Sequence, residues 1–199
     1  MTLQARAVRY DQDRAFYAGR ATGRVVSSRL ANGDAGLQQL TDKLQAAVEA
    51  GLKKPEAWEL AAEWTAHVKP GDTAAEVQAI YDHLAGGDTD IRYVLDPVGV
   101  QIITGFASPI MSRRGDCKKL AVLGAILVGS LGCDVRIVTV DQHVGSIGPT
   151  QRHHTYFDYQ LPGSEQWHPF DPVLALQRQK PRPGQELPYK VKVIHRRPS

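Results

Sequence analysis

The chain has 199 residues, of which 42% are hydrophobic and 23% are charged, and its formal net charge is +3 at pH 7. These proportions are typical of a folded globular domain, and they exclude a wholly disordered or collagen-like chain. The length is sufficient for one domain that buries a core of its own.

The sequence contains no stretch near the roughly 18 unbroken apolar residues that a membrane helix needs. Its first residues, MTLQARAVRYDQDR, are polar and charged and lack the apolar run of a signal peptide. We therefore expect a cytoplasmic protein without membrane contact. A reducing compartment would keep the two cysteines, Cys117 and Cys133, as free thiols.

The N-terminal part of the chain divides into an arm and a helical region. Residues 1 to 35 show no sustained period, which predicts an arm or leader, and residues 36 to 177 form the predicted domain. The domain opens with an amphipathic helix over residues 37 to 52 and a second helix that begins at Pro55. A third helix is capped by Asp72 or Thr73. The segment after it reads as a loop with short extended pieces.

A long apolar segment, CKKLAVLGAILVGSL, starts at Cys117 and is apolar on all sides apart from two lysines. This pattern is typical of a helix buried in the middle of a domain, and Gly132 ends it. The later stretches DVRIVTV, HHTYFDYQL, QWHPFDPV and YKVKVIH have the composition of strands. We therefore predict an α+β fold, with a central helix on an antiparallel sheet and N-terminal helices before it.

Residues 178 to 199 form a basic tail with a possible final strand at YKVKVIH. Lysines and arginines in this tail outnumber its single acid, Glu186. The tail and the N-terminal arm are candidate contacts for an assembly partner. Nucleic-acid binding is not expected, because aromatic residues do not interleave with the charges and no nucleic-acid motif is present.

Cys117 lies at the predicted start of the buried helix, where a thiol can become a nucleophile. A cysteine attacks as its thiolate, and a helix N-terminus or a nearby imidazolium favours that form. The N–H groups of the first helical turn can also hold the oxyanion of a tetrahedral intermediate. Cys117 is therefore a candidate nucleophile and a candidate part of its own oxyanion hole. The alternative is an apolar filler, which is the usual role of a buried cysteine and our interpretation of Cys133.

A thiol nucleophile also needs a base and a group that orients the base. His154 begins one predicted strand and Asp171 ends the next, with PGSEQ as the turn between them. Antiparallel strands joined by such a turn bring their far ends together, so we expect His154 beside Asp171. His153 would point to the opposite face. Asp158 and Asp96 are alternative acids, of which Asp158 lies too far along the strand to orient the ring. Asp171 could instead be only a turn residue, since Asp-Pro is common in turns.

The order Cys, His, Asp resembles the transglutaminase-like superfamily of papain-type thiol enzymes, and the compact layout is most similar to its phage and bacterial members. GDC opens an apolar helix, HTYF begins a strand and WHPFDP ends the next. The resemblance covers residues 72 to 173 and implies a papain-like core. It implies that Cys117 is the nucleophile, His154 the base and Asp171 the orienting acid. It also implies an oxyanion-hole side chain upstream of the cysteine, for which Gln101 is the candidate.

These observations predict an enzyme that transfers an acyl group from a protein or peptide amide, without a cofactor. Water as acceptor gives peptide or isopeptide hydrolysis, and an amine as acceptor gives cross-linking. The family usually has an acidic or small polar residue shortly after the cysteine, where this chain has Lys118 and Lys119, so its substrate preference is not transferred. A zinc site is not expected, because the cysteines and histidines lack chelating spacing. The alternative hypothesis is a non-catalytic structural or assembly protein with the same fold, such as a phage virion component.

Overall fold

A computed structural model describes residue 30 and residues 33–85, 91–96, 101–142, 152–173 and 192–196. Most of the predicted arm and much of the basic tail lie outside these residues. The helices of the described part are α1 Gly33–Leu52, α2 Pro55–Thr65, α3 Thr73–Ala85, α4 Ala107–Ser112 and α5 Cys117–Ser130. Its strands are β1 Arg92–Tyr93, β2 Arg114–Gly115, β3 Asp134–Gln142, β4 Arg152–Gln160, β5 Trp167–Phe170 and β6 Lys192–Arg196.

The three N-terminal helices follow the sequence pattern, with one difference at the first. α1 begins at Gly33, before the apolar stripe that predicts it, because the stripe marks the face that packs and not the end of the hydrogen-bonded helix. α2 begins at Pro55 as predicted. The cap of α3 is Asp72, whose Oδ1 accepts from the Ala75 N–H at 3.1 Å. No helix in the described part of the chain is long and apolar enough to cross a membrane.

The helix that starts at Cys117 lies in the centre of the fold, which confirms the prediction from its apolar composition. α5 contacts α1, α2 and α3 on one side and β3 and β4 on the other. Gly124 allows the sheet to approach closely, since a Cβ there would lie 2.8 Å from Cε1 of Phe157 on β4. A close approach of this kind requires glycine unless the neighbouring ring moves.

The main sheet has the order β5-β4-β3-β6, and each neighbouring pair of strands is antiparallel. β3 and β4 pair along their whole length, and β5 folds back on β4 with Phe170 opposite Phe157. β6, from the predicted basic tail, adds to the free side of β3. The α+β class and the central helix on an antiparallel sheet are thus confirmed.

The directions of α5 and of three strands bring one end of each of these elements together. β3 runs back along α5: Val135 lies near Gly129 late in the helix, and Phe157, which pairs with Ile137, lies near Gly124. Because β4 and β5 alternate in direction after β3, the start of α5, the end of β3, the start of β4 and the end of β5 meet at one end of the domain. Cys117, His154 and Asp171 occupy that end.

Ahead of Cys117, β1 is a short extended piece of the predicted loop, but its pairing with β2 and the helix α4 were not predicted. β1 and β2 form a small parallel pair in which Tyr93 is opposite Gly115. α4 has only six residues, which is too short for an amphipathic pattern to be recognised in the sequence. It is held in place by Ala107 and Ile110, which pack into the core.

Candidate active site

Cys117 is the first residue of α5 and is buried. Asp116 precedes it as the N-cap, in extended backbone, and its Oδ1 accepts from the Lys119 N–H at 3.1 Å. A capped helix start of this kind fixes the direction in which the first helical turn presents its N–H groups. The thiol therefore lies beside the positive end of the helix dipole, which favours a negative charge there.

His154 and Asp171 lie together, as the strand order predicts. The Nε2 of His154 and the Oδ2 of Asp171 are 2.5 Å apart, and both side chains are buried. The second carboxylate oxygen of Asp171 accepts from the Val173 N–H at 3.1 Å. Because both oxygens have a partner, the carboxylate is held in one orientation towards the imidazole ring.

The backbone beside Asp171 is fixed by aromatic packing. Phe170, the last residue of β5, stacks on Phe157 with ring centroids 4.5 Å apart, and Tyr81 of α3 contacts it edge-on at 5.2 Å. Phe157 and Phe170 are fully buried. These contacts hold the end of β5 against β4 and α3, and Asp171 is the next residue in the chain.

His154 also hydrogen-bonds to Cys117, and this contact completes the arrangement. Since Nε2 is occupied by Asp171, Nδ1 is the ring nitrogen left for the thiol. Burial alone lowers the pKa of His154, but the hydrogen bond and charge of Asp171, followed by those of Cys117, raise it from the ordinary 6.5 to about 10. The ring therefore carries its proton at neutral pH, next to the sulfur atom.

Tyr93 is a further residue at the thiol, and no pattern in the sequence predicts its position there. Pairing of β1 with β2 places Tyr93 beside Gly115, and its hydroxyl hydrogen-bonds with the Cys117 side chain. Burial, and then the charge and hydrogen bond of Cys117, raise the pKa of Tyr93 well above its ordinary value. The phenol thus remains a hydrogen-bond donor. A two-residue parallel bridge has no periodic pattern that a sequence could show.

The two lysines after Cys117 are paired with carboxylates. Lys118 contacts Asp116 and lies 3.2 Å from Asp96, and Lys119 lies 2.6 Å from the other oxygen of Asp96. Burial opposes charging of Lys118, but the charges of Asp116 and Cys117 raise its pKa above the ordinary value. This cluster, Asp96, Asp116, Lys118 and Lys119, connects the first turn of α5 to the segment that carries Tyr93.

Gln101, the candidate oxyanion-hole side chain, is exposed. Its neighbour Ile102 donates its backbone N–H to Asp96 at 2.7 Å, so the backbone there is tied to the cluster. The role of Gln101 remains a prediction.

The alternative residues have other surroundings. Asp158 accepts from the Arg136 side chain at 3.0 Å, on the neighbouring strand. His168 packs against the Tyr159 ring with centroids 5.4 Å apart. His143 lies outside the described residues, and of His153 only the backbone, opposite Asp141, is described. No group of three or more metal-ligating side chains is found where the structure describes the chain.

The chain was compared with protein-family models, curated proteins and solved structures. No protein-family model matches the chain, and no curated protein matches it. A solved structure of a candidate cysteine protease from Cytophaga hutchinsonii is similar, with a TM-score of 0.49 and 19% sequence identity. The match covers 71% of this chain and 41% of that protein.

Proposed function

We propose that the protein is a transglutaminase-like thiol enzyme that transfers an acyl group from a protein or peptide amide. The observation that carries this proposal is the 2.5 Å contact between His154 Nε2 and Asp171 Oδ2, with the same ring hydrogen-bonded to Cys117 at a helix start. A nucleophile, a base and an orienting acid in this order form the working unit of thiol acyl transfer.

In the proposed reaction, the Cys117 sulfur attacks the amide carbonyl carbon as a thiolate. The tetrahedral intermediate collapses as the carbon–nitrogen bond breaks, and His154 donates its Nδ1 proton to the leaving amine. The product is a thioester on Cys117. Water or a second amine then attacks the thioester, gives a proton to His154, and releases the acid or the new amide. Asp171 holds the ring in place through both halves.

The developing oxyanion needs hydrogen-bond donors. The backbone N–H of Cys117 is one proposed donor, because it belongs to the first turn of a helix. The Tyr93 hydroxyl is a second, because it lies at the Cys117 side chain and keeps its proton. Gln101 is the candidate from the sequence resemblance. The Tyr93→Phe variant separates these assignments: if the hydroxyl is a donor, turnover falls about 100- to 1,000-fold while alkylation of the thiol changes much less.

The proposal is tested with the purified full chain, fluorescently labelled casein and dansylcadaverine as an amine acceptor. Release of peptides reports hydrolysis, and incorporation of the dansyl group reports cross-linking. Cys117→Ser should abolish either product, whereas Cys133→Ala should retain it. A product that survives in Cys117→Ser contradicts the proposal. If casein gives neither product, alkylation of Cys117 by iodoacetamide at pH 7 that is no faster than that of Cys133 contradicts it too.

A further inference from the structure

Exposed apolar side chains are concentrated in the segment that is bonded to the start of α5. Of the four large hydrophobic side chains that are exposed in the described part of the chain, three belong to one region: Val94 at 42%, Leu95 at 69% and Ile102 at 39%. The fourth, Trp58, has a local structural role, since its Nε1–H donates to the Leu52 carbonyl at 3.0 Å. Single exposed apolar side chains are normal, but a group of them in one place marks a surface that binds another molecule.

The chain on both sides of Val94 and Leu95 is fixed to the start of α5. Before them, Tyr93 hydrogen-bonds with Cys117, and the Val94 N–H itself donates to the Gly115 carbonyl at 3.0 Å. After them, Asp96 pairs with Lys118 and Lys119. Val94 and Leu95 therefore lie between two anchors, and each anchor reaches within two residues of Cys117 in sequence.

Ile102 is brought to the same place by a separate bond. Its N–H donates to Asp96 Oδ2 at 2.7 Å, although the two residues are six positions apart in the sequence. The carboxylate of Asp96 thus holds Ile102 on one side and the lysines of α5 on the other. The apolar side chains are exposed while the polar groups that hold their backbone are buried, which is the reverse of the usual distribution.

The charges of the ion-pair cluster cancel. Asp96 and Asp116 face Lys118 and Lys119, so two carboxylates balance two ammonium groups, and all four side chains are largely buried. The exposed charges nearby are Arg92 and Arg114, which are paired on β1 and β2. Next to the neutral cluster, Val94, Leu95 and Ile102 present apolar surface to the solvent.

We propose that Val94, Leu95 and Ile102 form a subsite that binds a bulky aliphatic or aromatic side chain of a peptide substrate, on the acyl side of the scissile amide. The inference rests on the proposed function. The acyl side is assigned because the acyl part stays bound to Cys117 through the thioester and is therefore recognised in both half-reactions.

The test uses two peptide chloromethyl ketones, acetyl-Leu-Gly and acetyl-Glu-Gly, with iodoacetamide as a reagent that has no side chain to recognise. Mass spectrometry gives the rate at which each modifies Cys117. Dividing the peptide rates by the iodoacetamide rate removes differences in thiol reactivity. We expect the leucine reagent to react about 10-fold faster than the glutamate reagent, as one buried apolar side chain allows.

Leu95→Ser and Ile102→Ser should each reduce this preference several-fold and leave the iodoacetamide rate unchanged. Leu95→Met should retain it. Trp58→Ser is the matched control, because it removes an exposed apolar side chain elsewhere. Equal rates for the two peptide reagents, or a preference that survives both serine variants, overturn the subsite. If iodoacetamide itself does not favour Cys117 over Cys133, the proposed function fails, and the subsite with it.

Discussion

Cys117 and Cys133 lie at opposite ends of α5 and are equally buried, each with 6% of its surface exposed. Cys117 begins the helix, behind the Asp116 cap, with His154 and Tyr93 as hydrogen-bond partners. Cys133 follows the other end, where burial first, and then the charges of Asp134 and Glu76, raise its pKa to about 11. Burial therefore does not distinguish the two thiols. The end of the helix and the charges around each sulfur do.

The largest expected difference between the two ends is in turnover. Cys117→Ala should lower the proposed acyl transfer by more than about 1,000-fold, since Cys117 is the nucleophile of the proposed reaction. Cys133→Ala should retain most of the activity and cost a small amount of stability from the lost sulfur. Rates with the labelled casein and dansylcadaverine measure both variants. Comparable losses of activity in the two variants would contradict the difference between the two thiols.

Lys118→Met tests the charge cluster at the Cys117 end. The variant leaves Asp116 without its buried ammonium partner, and breaking a buried ion pair by removing one partner costs about 3–5 kcal/mol. Guanidinium unfolding monitored by circular dichroism gives the free energy of unfolding. Lys119→Met, which removes an ammonium paired with Asp96 alone and slightly more exposed, is the control with the smaller expected loss. A Lys118→Met chain as stable as the wild type would show that the cluster does not hold this end.

His154→Ala should slow alkylation of Cys117 by about 100-fold, because the thiolate loses the imidazolium that stabilises it. Asp171→Asn keeps the shape of the side chain and loses its charge, so a smaller loss, about 10-fold, is expected. His168→Ala, on the adjacent strand, should leave the rate unaltered. Iodoacetamide kinetics with mass spectrometry provide the rates. An unchanged rate in His154→Ala would contradict the proposed role of His154 as the base.

Gly124→Ala tests the packing of α5 on β4, between the two ends of the helix. The added Cβ would lie 2.8 Å from the Phe157 ring, on the strand that carries His154, and overpacking of this kind costs about 1–3 kcal/mol. Gly105→Ala is the matched control, since nothing lies within 4 Å of a Cβ at that position. Thermal and chemical unfolding compare the two. Equal stability of both variants would contradict the close packing of α5 on β4.

The pH dependence of folding is the most specific test of the His154 environment. The pKa of His154 is raised in the folded chain to about 10, so folding binds a proton between about pH 6.5 and 10. The stability that this group contributes is fully present below pH 6.5 and is lost as the pH rises through 10. The free-energy difference between wild type and His154→Gln should therefore shrink over that window. A difference that stays constant or grows would contradict the raised pKa.

The order of elements and the pairing of His154 with Asp171 could be predicted from the sequence. Both depend on features that a sequence shows directly: an unbroken apolar helix, alternating strands and one short turn that sets their register. The Asp72 cap was predictable for the same reason, since a cap acts on its own helix.

Tyr93 and the role of Asp96 could not be predicted. Both reach α5 by contacts between segments that are distant in the chain, through a bridge of two residues and through single ion pairs. The ion pairs of Lys118 and Lys119 could not be predicted for a related reason. Charged residues are usually exposed, and only the folded structure shows that these lysines are buried together with two carboxylates.

The central claim is that the fold makes Cys117 reactive and leaves Cys133 inert. Iodoacetamide, supplied at less than one equivalent at pH 7, measures it directly as the ratio of the two alkylated peptides. We expect a ratio of about 100 or more in favour of Cys117 in the native protein, which falls to about 1 in concentrated guanidinium chloride. A native ratio near 1 would contradict it.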